Sequence, residues 1–221
     1  YREHIIKGQN MTFAIVVDLE ATCTDKNEFP REEMEIIEIG AVCLDSDNNV
    51  RDTFQTFIRP LKHPQLTEFC KELTTIKQTD VDLAYTFNTA MPQFLQWVKN
   101  VTGHNDYVFY SWGNFDKNIF RRQCIANNID ARIFLSKHRN AKTVFATEHR
   151  LKKEVGVGGA LKIKKMESLI VHPKNQMELN ALKCTLKEMG IKFEKFHTRN
   201  AKTETKPVVK KEKFEKKSKE K

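Results

Sequence analysis

Residues 13–23 read FAIVVDLEATC, an apolar run that ends abruptly in two carboxylates, Asp18 and Glu20. The run is rich in β-branched residues and too short for a helix, which predicts a buried strand. Because side chains alternate along a strand, those of Asp18 and Glu20 are expected to point the same way. Two converging carboxylates favour a bound divalent metal ion, which offsets their repulsion. A strand that simply ends in a polar loop is the alternative, and this segment alone leaves it open.

The remaining pattern predicts a mixed α/β domain with helices packed on a central sheet. Two further strand-like runs, EIIEIGAVCL at 35–44 and VRDTFQTFI at 50–58, are joined by the polar turn DSDNN and predict an antiparallel hairpin. Another short buried strand, YVFYS, is expected at 107–111. Helical patterns follow the hairpin, and their predicted N-caps are Thr67, Thr86 and Asn114.

A third carboxylate, Asp116, lies in the first turn of the helix that follows YVFYS. An acidic residue in a first turn is common because it complements the helix dipole. Its neighbours Phe115 and Ile119 are expected to face the core, which would direct Asp116 towards the strand end that carries Asp18 and Glu20. The sequence therefore predicts that three carboxylates meet at one edge of the sheet.

Three motifs together resemble those of the DnaQ-like DEDDh 3′–5′ exonucleases. They are FAIVVDLEATC, FCKELTTIKQTDVD and YSWGNFDKNIFRRQC, and they occur in the order found in the branch that holds the Eri-type and histone-mRNA exonucleases and KapD. The resemblance implies an RNase H-like mixed sheet of about five strands flanked by helices. It covers an exonuclease domain at 12–190, preceded by an extension at 1–11 and followed by a basic tail at 191–221.

The resemblance also implies a metal-dependent active site. Such enzymes bind two Mg²⁺ or Mn²⁺ ions, for which carboxylate oxygens are suitable ligands. By this resemblance Asp18 would bridge both ions, with Glu20 and Asp116 as further ligands. The general base of the family corresponds best to His172 in VHPKNQMELNALK, because Asn180 follows it at the family's spacing.

One position departs from the family pattern. The fourth metal-binding Asp is expected five residues after His172, where this chain has Met177, which cannot bind Mg²⁺. Gln176 and Glu178 would emerge on other faces of a helix, about 100° to either side, although the longer side chain of Glu178 offers a replacement ligand. A rival placement of the base at His197 puts Lys202 at that position and fits less well. Met177 therefore raises two alternatives. The site would bind fewer than two ions, or the chain would be a catalytically impaired exonuclease fold that serves as a nucleic-acid- or protein-binding adaptor.

The predicted substrate is single-stranded nucleic acid, with RNA favoured over DNA. The residues predicted to contact it are Ala21, Trp112 and Phe115, and Phe29 is a further candidate for base stacking. The leading prediction is an exonuclease that removes nucleoside 5′-monophosphates from 3′ ends.

Composition is consistent with an intracellular protein, nuclear or cytoplasmic. The chain has 221 residues, 39% of them hydrophobic, and no apolar run approaches the roughly 20 residues that span a membrane. Its five cysteines are dispersed without a CxxC pair, which predicts reduced thiols. Residues 197–221 carry ten Lys/Arg against four Asp/Glu and are expected to be disordered, with an affinity for polyanions.

Overall fold

The structure, a computed structural model, describes residues 12–164. The predicted extension at 1–11, the basic tail, and the candidate residues His172, Met177 and Glu178 lie outside the described residues. The fold given below therefore covers the first three carboxylates of the predicted site.

Five strands form one mixed sheet in the order β3-β2-β1-β4-β5. β1 pairs antiparallel with β2 and parallel with β4, β2 pairs antiparallel with β3, and β4 pairs parallel with β5. The predicted hairpin and the predicted mixed α/β sheet are thus confirmed. The strands are β1 Thr12–Ala21, β2 Ile36–Leu44, β3 Val50–Phe57, β4 Asp106–Ser111 and β5 His138–Asn140.

β1 is the central strand, and its apolar run is continuous because both of its faces are covered. Ile15 and Val17 belong to the larger core, which includes side chains of the helices that follow β3 and β4. Ala14 and Val16 belong to a second core on the opposite face, with Phe145 and Ala160. The alternation continues to the end of the strand, where the two carboxylates replace apolar side chains on this second face.

The described helices are short, apart from one of four turns. They are α1 Glu68–Thr74, α2 Gln78–Asp82, α3 Phe87–Thr102, α4 Phe115–Ala126, α5 Arg132–Leu135, α6 Ala141–Glu148 and α7 Val157–Ile163, with a 3₁₀ turn at Arg31–Glu33. Within residues 12–164, no helix has the length and apolar character needed to cross a bilayer.

The predicted N-caps have the right positions, but only one forms the expected bond. The Thr67 hydroxyl accepts a hydrogen bond from the N–H of Cys70, as a cap should. Thr86 and Asn114 occupy N-cap positions without a capping hydrogen bond from their side chains. α1 buries Cys70 and Thr74, and its Leu73 is exposed.

Candidate active site

The C-terminal end of β1 presents two carboxylates on one face of the sheet. Asp18 and Glu20 are half-buried, and Leu19 between them is buried in the larger core. This alternation confirms that the two acidic side chains point the same way. Both carboxylates take part in interactions within the fold, so neither is isolated.

Asp116 is brought to the same place by the connection between β4 and α4. The parallel pairing of β1 with β4 stops at Val16 and Tyr110, so β1 continues past its neighbour. The N–H of Leu19 lies beyond the last β1/β4 pair and donates a hydrogen bond of 3.3 Å to Oδ1 of Asp116. Since Leu19 stands between Asp18 and Glu20, this bond places the third carboxylate beside the other two.

The turn that carries Asp116 is held by β5. Gly113 adopts a φ of +102°, and its N–H donates to Oδ1 of Asn140 at 3.0 Å. The same Asn140 oxygen caps α6 by accepting from the N–H of Lys142 at 3.0 Å. At the end of β4, Ser111 Oγ and His138 Nε2 share a buried hydrogen bond of 2.8 Å. β5 is therefore the support of the Asp116 turn, although it has only three residues.

His138 is a neutral support rather than a charged group. Burial lowers the pKa of His138 to about 4, and the positive charges of Lys117 and Arg139 act in the same direction. A neutral imidazole keeps one N–H donor and one acceptor, which suits a bond to a serine hydroxyl. His138 was not recognised from the sequence, because a lone histidine after a helix gives no signal of such a contact.

A fourth acidic residue stands next to Glu20 in the sheet. Glu38 of β2 stands opposite Glu20 in the antiparallel ladder, and Glu38 is buried. Burial raises the pKa of Glu38, a hydrogen bond of 2.5 Å from Gln55 Nε2 opposes this, and the charge of Asp80 raises it further. Acidic groups this close repel one another unless a proton or a cation reduces their charge.

The donor set fits a hard divalent cation. Asp18, Glu20 and Asp116 offer carboxylate oxygens, which are the ligands that Mg²⁺ and Mn²⁺ prefer. Within residues 12–164, however, no group of three or more His, Cys, Asp or Glu side chains is arranged closely enough to hold a metal ion. The predicted positions that would complete the set, His172 and Met177 or Glu178, lie outside the described residues.

The predicted substrate-contacting residues surround this edge but are largely engaged within the fold. Trp112 donates from Nε1 to the carbonyl of Val155 at 3.1 Å and packs on the second core. Phe115 is partly buried, with the guanidinium carbon of Arg31 at 5.4 Å from its ring centroid. Ala21 is buried. Their contact with a substrate stays a prediction.

Phe29, the further stacking candidate, already has an aromatic partner. Its ring stacks on that of His63 with centroids 4.0 Å apart, and His63 Nε2 lies 3.0 Å from Glu33 Oε2. These contacts hold the loop between β1 and β2 against the segment that precedes α1.

Two buried side chains that sequence reasoning missed organise the loops beside the site. The Glu35 carboxylate accepts hydrogen bonds from three successive N–H groups, those of Leu61, Lys62 and His63, at 2.7–3.1 Å. Gln123 of α4 accepts from the N–H of Ile36 at 2.7 Å. Both link segments distant in sequence, so no local spacing could have indicated them.

Comparison with known proteins identifies related exonucleases. A protein-family model described as an exonuclease, RNase_T, matches residues 15–157. The human protein named ERI1 exoribonuclease 2 is 27% identical to the chain over 172 residues, which cover 69% of this chain and 25% of the human protein. The chain therefore spans about a quarter of the length of that relative.

A bacterial relative and a solved structure extend the comparison. The probable 3′-5′ exonuclease KapD of Bacillus subtilis (strain 168) is 31% identical over 116 residues, which cover 52% of this chain and 54% of KapD. The nuclease domain of 3′hExo, a DEDDh family member solved bound to rAMP, superposes with a TM-score of 0.68 at 24% identity. This superposition covers 80% of this chain and 90% of that domain.

Proposed function

Because the chain belongs to the RNase_T exonuclease family, whose model it matches over residues 15–157, we propose that it is a metal-dependent 3′–5′ exonuclease acting on single-stranded RNA. Its fold is RNase H-like, as the sequence motifs predicted. The observation that carries the proposal is the bond from the Leu19 N–H to Asp116, which sets a third carboxylate beside Asp18 and Glu20.

The carboxylates supply the binding groups of the proposed mechanism. Asp18, Glu20 and Asp116 would hold one or two Mg²⁺ or Mn²⁺ ions through their oxygens. Such ions, when bound, neutralise the charge of a phosphodiester and make water a better nucleophile at neutral pH. The chain's own contribution is to fix the carboxylates on rigid elements, a strand end and the first turn of α4, so that the scissile phosphate is held in one orientation.

His172 is the proposed general base. An imidazole titrates near neutral pH, so His172 would accept the proton of the attacking water as the terminal phosphodiester is cleaved. The product would be a nucleoside 5′-monophosphate, and the shortened strand would keep a 3′-hydroxyl. If Met177 removes a metal ligand, Glu178 would replace it, and we expect a lower rate than in a site with all four carboxylates.

RNA is proposed as the substrate because of the relatives. The human relative is named an exoribonuclease, and the 3′hExo nuclease domain was solved bound to rAMP. The basic tail, with ten Lys/Arg in residues 197–221, would add phosphate contacts that do not depend on sequence. Salt would weaken such contacts, so the tail is expected to matter most at low ionic strength.

The proposal is tested with single-stranded RNA labelled at its 5′ end. In the presence of Mn²⁺ or Mg²⁺ the full chain should shorten the labelled strand stepwise from the 3′ end, and excess EDTA should stop the reaction. Asp18→Asn should reduce the rate by about 100-fold or more, since one charged ligand is lost. The matched control is Asp106→Asn, because Asp106 is an exposed aspartate at the opposite end of the parallel pair β1/β4.

Two results would contradict the proposal. If the unmodified chain binds the RNA without shortening it in either metal, the chain is a binding adaptor and not a nuclease. If Asp18→Asn is as active as Asp106→Asn, the three carboxylates are not the active site. The same strand made as DNA, assayed in parallel, decides between ribonuclease and general nuclease activity.

A further inference from the structure

Two cysteines that are far apart in sequence meet next to the candidate active site. Cys23 follows the end of β1, and Cys70 lies in the first turn of α1. Cys23 packs against the cluster that contains Cys70, and the two thiols interact closely enough for each to shift the pKa of the other. Both belong to a small apolar cluster formed where α1 and α2 pack against β2, with Ile37, Leu66, Ile76 and Val81. The dispersed spacing of the cysteines gave no sign of this pair.

Two hydrogen bonds hold the segments of the pair together. The Thr67 hydroxyl donates to the carbonyl of Cys23 at 2.7 Å, and the Cys70 thiol approaches the carbonyl of Ala21 at 3.6 Å. These two bonds fix the start of α1 against the backbone at residues 21–23. Side chains of the α1 segment thus hold it against the backbone that carries Cys23.

Cys23 differs in accessibility from the other described cysteines. Cys23 is partly exposed, whereas Cys43, Cys70 and Cys124 are buried. Burial raises the pKa of Cys43 and that of Cys124 to about 12, so these two thiols stay protonated at neutral pH. In the pair, the hydrogen bond from Cys23 lowers the pKa of Cys70 to about 7, and the same shared proton raises the pKa of Cys23.

We propose that Cys23 and Cys70 form a peroxide-sensitive dithiol, whose oxidation to a disulfide ties the C-terminal end of β1 to α1. In the singly deprotonated pair the Cys70 thiolate takes the proton of Cys23, and the Cys23 sulfur attacks one oxygen of hydrogen peroxide. The O–O bond breaks, Cys23 becomes a sulfenic acid, and the departing hydroxide takes up a proton from solvent. The Cys70 sulfur then attacks the sulfenic sulfur, the S–O bond breaks, and hydroxide leaves with the Cys70 proton as water. Two thiols are oxidised and one peroxide is reduced to two waters.

The disulfide would act on the end of β1 that carries the acidic residues. Glu20 lies three residues before Cys23 on the same continuous segment. Replacing a hydrogen-bonded contact by a covalent bond draws this segment towards α1, whereas Asp116 is supplied by α4 from another side. On the premise of the proposed nuclease function, the oxidised chain should therefore cleave several-fold more slowly, and dithiothreitol should restore the rate.

The site itself is tested without any nuclease assay. The reduced full chain carrying Cys184→Ser is exposed to hydrogen peroxide, its remaining thiols are alkylated after unfolding, and the digest is mapped by mass spectrometry without reductant. A linked peptide containing Cys23 and Cys70, with Cys43 and Cys124 recovered as alkylated thiols, is the expected result. The proposal is wrong if Cys23 is recovered as a thiol, as a sulfinic acid, or linked to another cysteine.

A second measurement tests the coupling to activity. The ratio of oxidised to reduced rate is compared for the unmodified chain, Cys23→Ser, and the control Cys43→Ala, which removes a thiol elsewhere in the sheet. The unmodified chain and Cys43→Ala should lose rate and regain it with dithiothreitol, whereas Cys23→Ser should not respond. An equal loss in Cys23→Ser would contradict the coupling. If the reduced chain has no nuclease activity, the proposed function fails, while the linked peptide still decides whether the dithiol exists.

Discussion

The Asp116 carboxylate accepts a hydrogen bond from the backbone N–H of Leu19 at 3.3 Å, although 97 residues separate the two in sequence. This bond has a structural and a chemical consequence. A buried N–H beyond the last β1/β4 pair would otherwise lack a partner, which is costly. The Asp116 carboxylate accepts from this N–H, so the same contact gives the backbone donor a partner and brings a third acidic group to the end of β1.

Separating these two roles is possible with two substitutions at Asp116. Asp116→Asn keeps an oxygen that can accept from Leu19 but removes the charge, so stability should change little while the exonuclease rate falls about 100-fold. Asp116→Ala also removes the acceptor, and we expect an additional loss of about 1–3 kcal/mol in the free energy of unfolding. Urea unfolding and the RNA-shortening rate measure the two effects. Equal unfolding midpoints for the two variants would show that the Leu19 bond contributes nothing to stability.

Much of this edge could be predicted from the sequence because its signals are local. Fewer than a dozen neighbouring residues are enough to recognise each of three signals. These are the apolar run that ends at Asp18, the alternation that aligns Glu20 with it, and the first-turn position of Asp116. Their convergence was predicted from the apolar neighbours of Asp116, which were expected to face the core. The structure shows Asp18 and Glu20 on one face of β1 and Asp116 bonded to the N–H of Leu19 between them, and their role as metal ligands stays a prediction.

What could not be predicted depends on contacts between distant segments. β5 has three residues and no periodic pattern, yet His138 and Asn140 hold the Asp116 turn. Glu35, Gln123 and the Cys23–Cys70 pair likewise find their partners across the fold, and residue spacing in one sequence carries no information about such pairings.

The turn before Asp116 requires glycine at position 113. Its φ of +102° is unfavourable for a residue with a Cβ, although no atom lies within 4 Å of where that Cβ would be. Gly113→Ala should therefore destabilise the fold by about 1–3 kcal/mol through backbone strain alone and lower the exonuclease rate by shifting Asp116. Thermal and urea unfolding with the rate assay measure both effects.

A matched glycine provides the control for this substitution. Gly158 in α7 also has open space around its Cβ position and has no positive φ. Gly158→Ala should stabilise the chain slightly, by up to about 1 kcal/mol, because alanine favours a helix. If Gly113→Ala is as well tolerated as Gly158→Ala, the conformation of the turn does not position the acidic residue.

Glu35 should contribute more to stability than a surface acid. Glu35→Gln replaces one carboxylate oxygen by an amide group that cannot accept the N–H groups of Lys62 and His63. We expect a loss of about 1–3 kcal/mol in the free energy of unfolding, since partly buried N–H donors are left without their carboxylate partner. The exposed neighbour Glu32 provides the control, and Glu32→Gln should lie within about 0.5 kcal/mol of the unmodified chain. Similar urea midpoints for both variants would contradict this role.

His138 should make the fold sensitive to mild acid. Its pKa is about 4 in the folded chain, against 6.5 for an ordinary histidine, because it is buried and faces Lys117 and Arg139. Between these two values the unfolded chain binds a proton that the folded chain does not, so stability is present above pH 6.5 and is lost as the pH falls towards 4. From pH 7 to pH 5 this group alone should lower the free energy of unfolding by about 2 kcal/mol.

The contribution of His138 is isolated by comparing two histidine variants. The side chain in His138→Gln cannot titrate but can still bond to Ser111. Between pH 7 and pH 5 the free energy of unfolding, measured with urea, should therefore fall by about 2 kcal/mol less in this variant than in the unmodified chain. His104 is exposed at the turn before β4, and His104→Gln should follow the unmodified chain. Because carboxylates titrate equally in all three chains, the difference between the curves reports on the histidine. Parallel curves for His138→Gln and the unmodified chain would mean that the imidazole supporting the Asp116 turn is not held neutral by its burial.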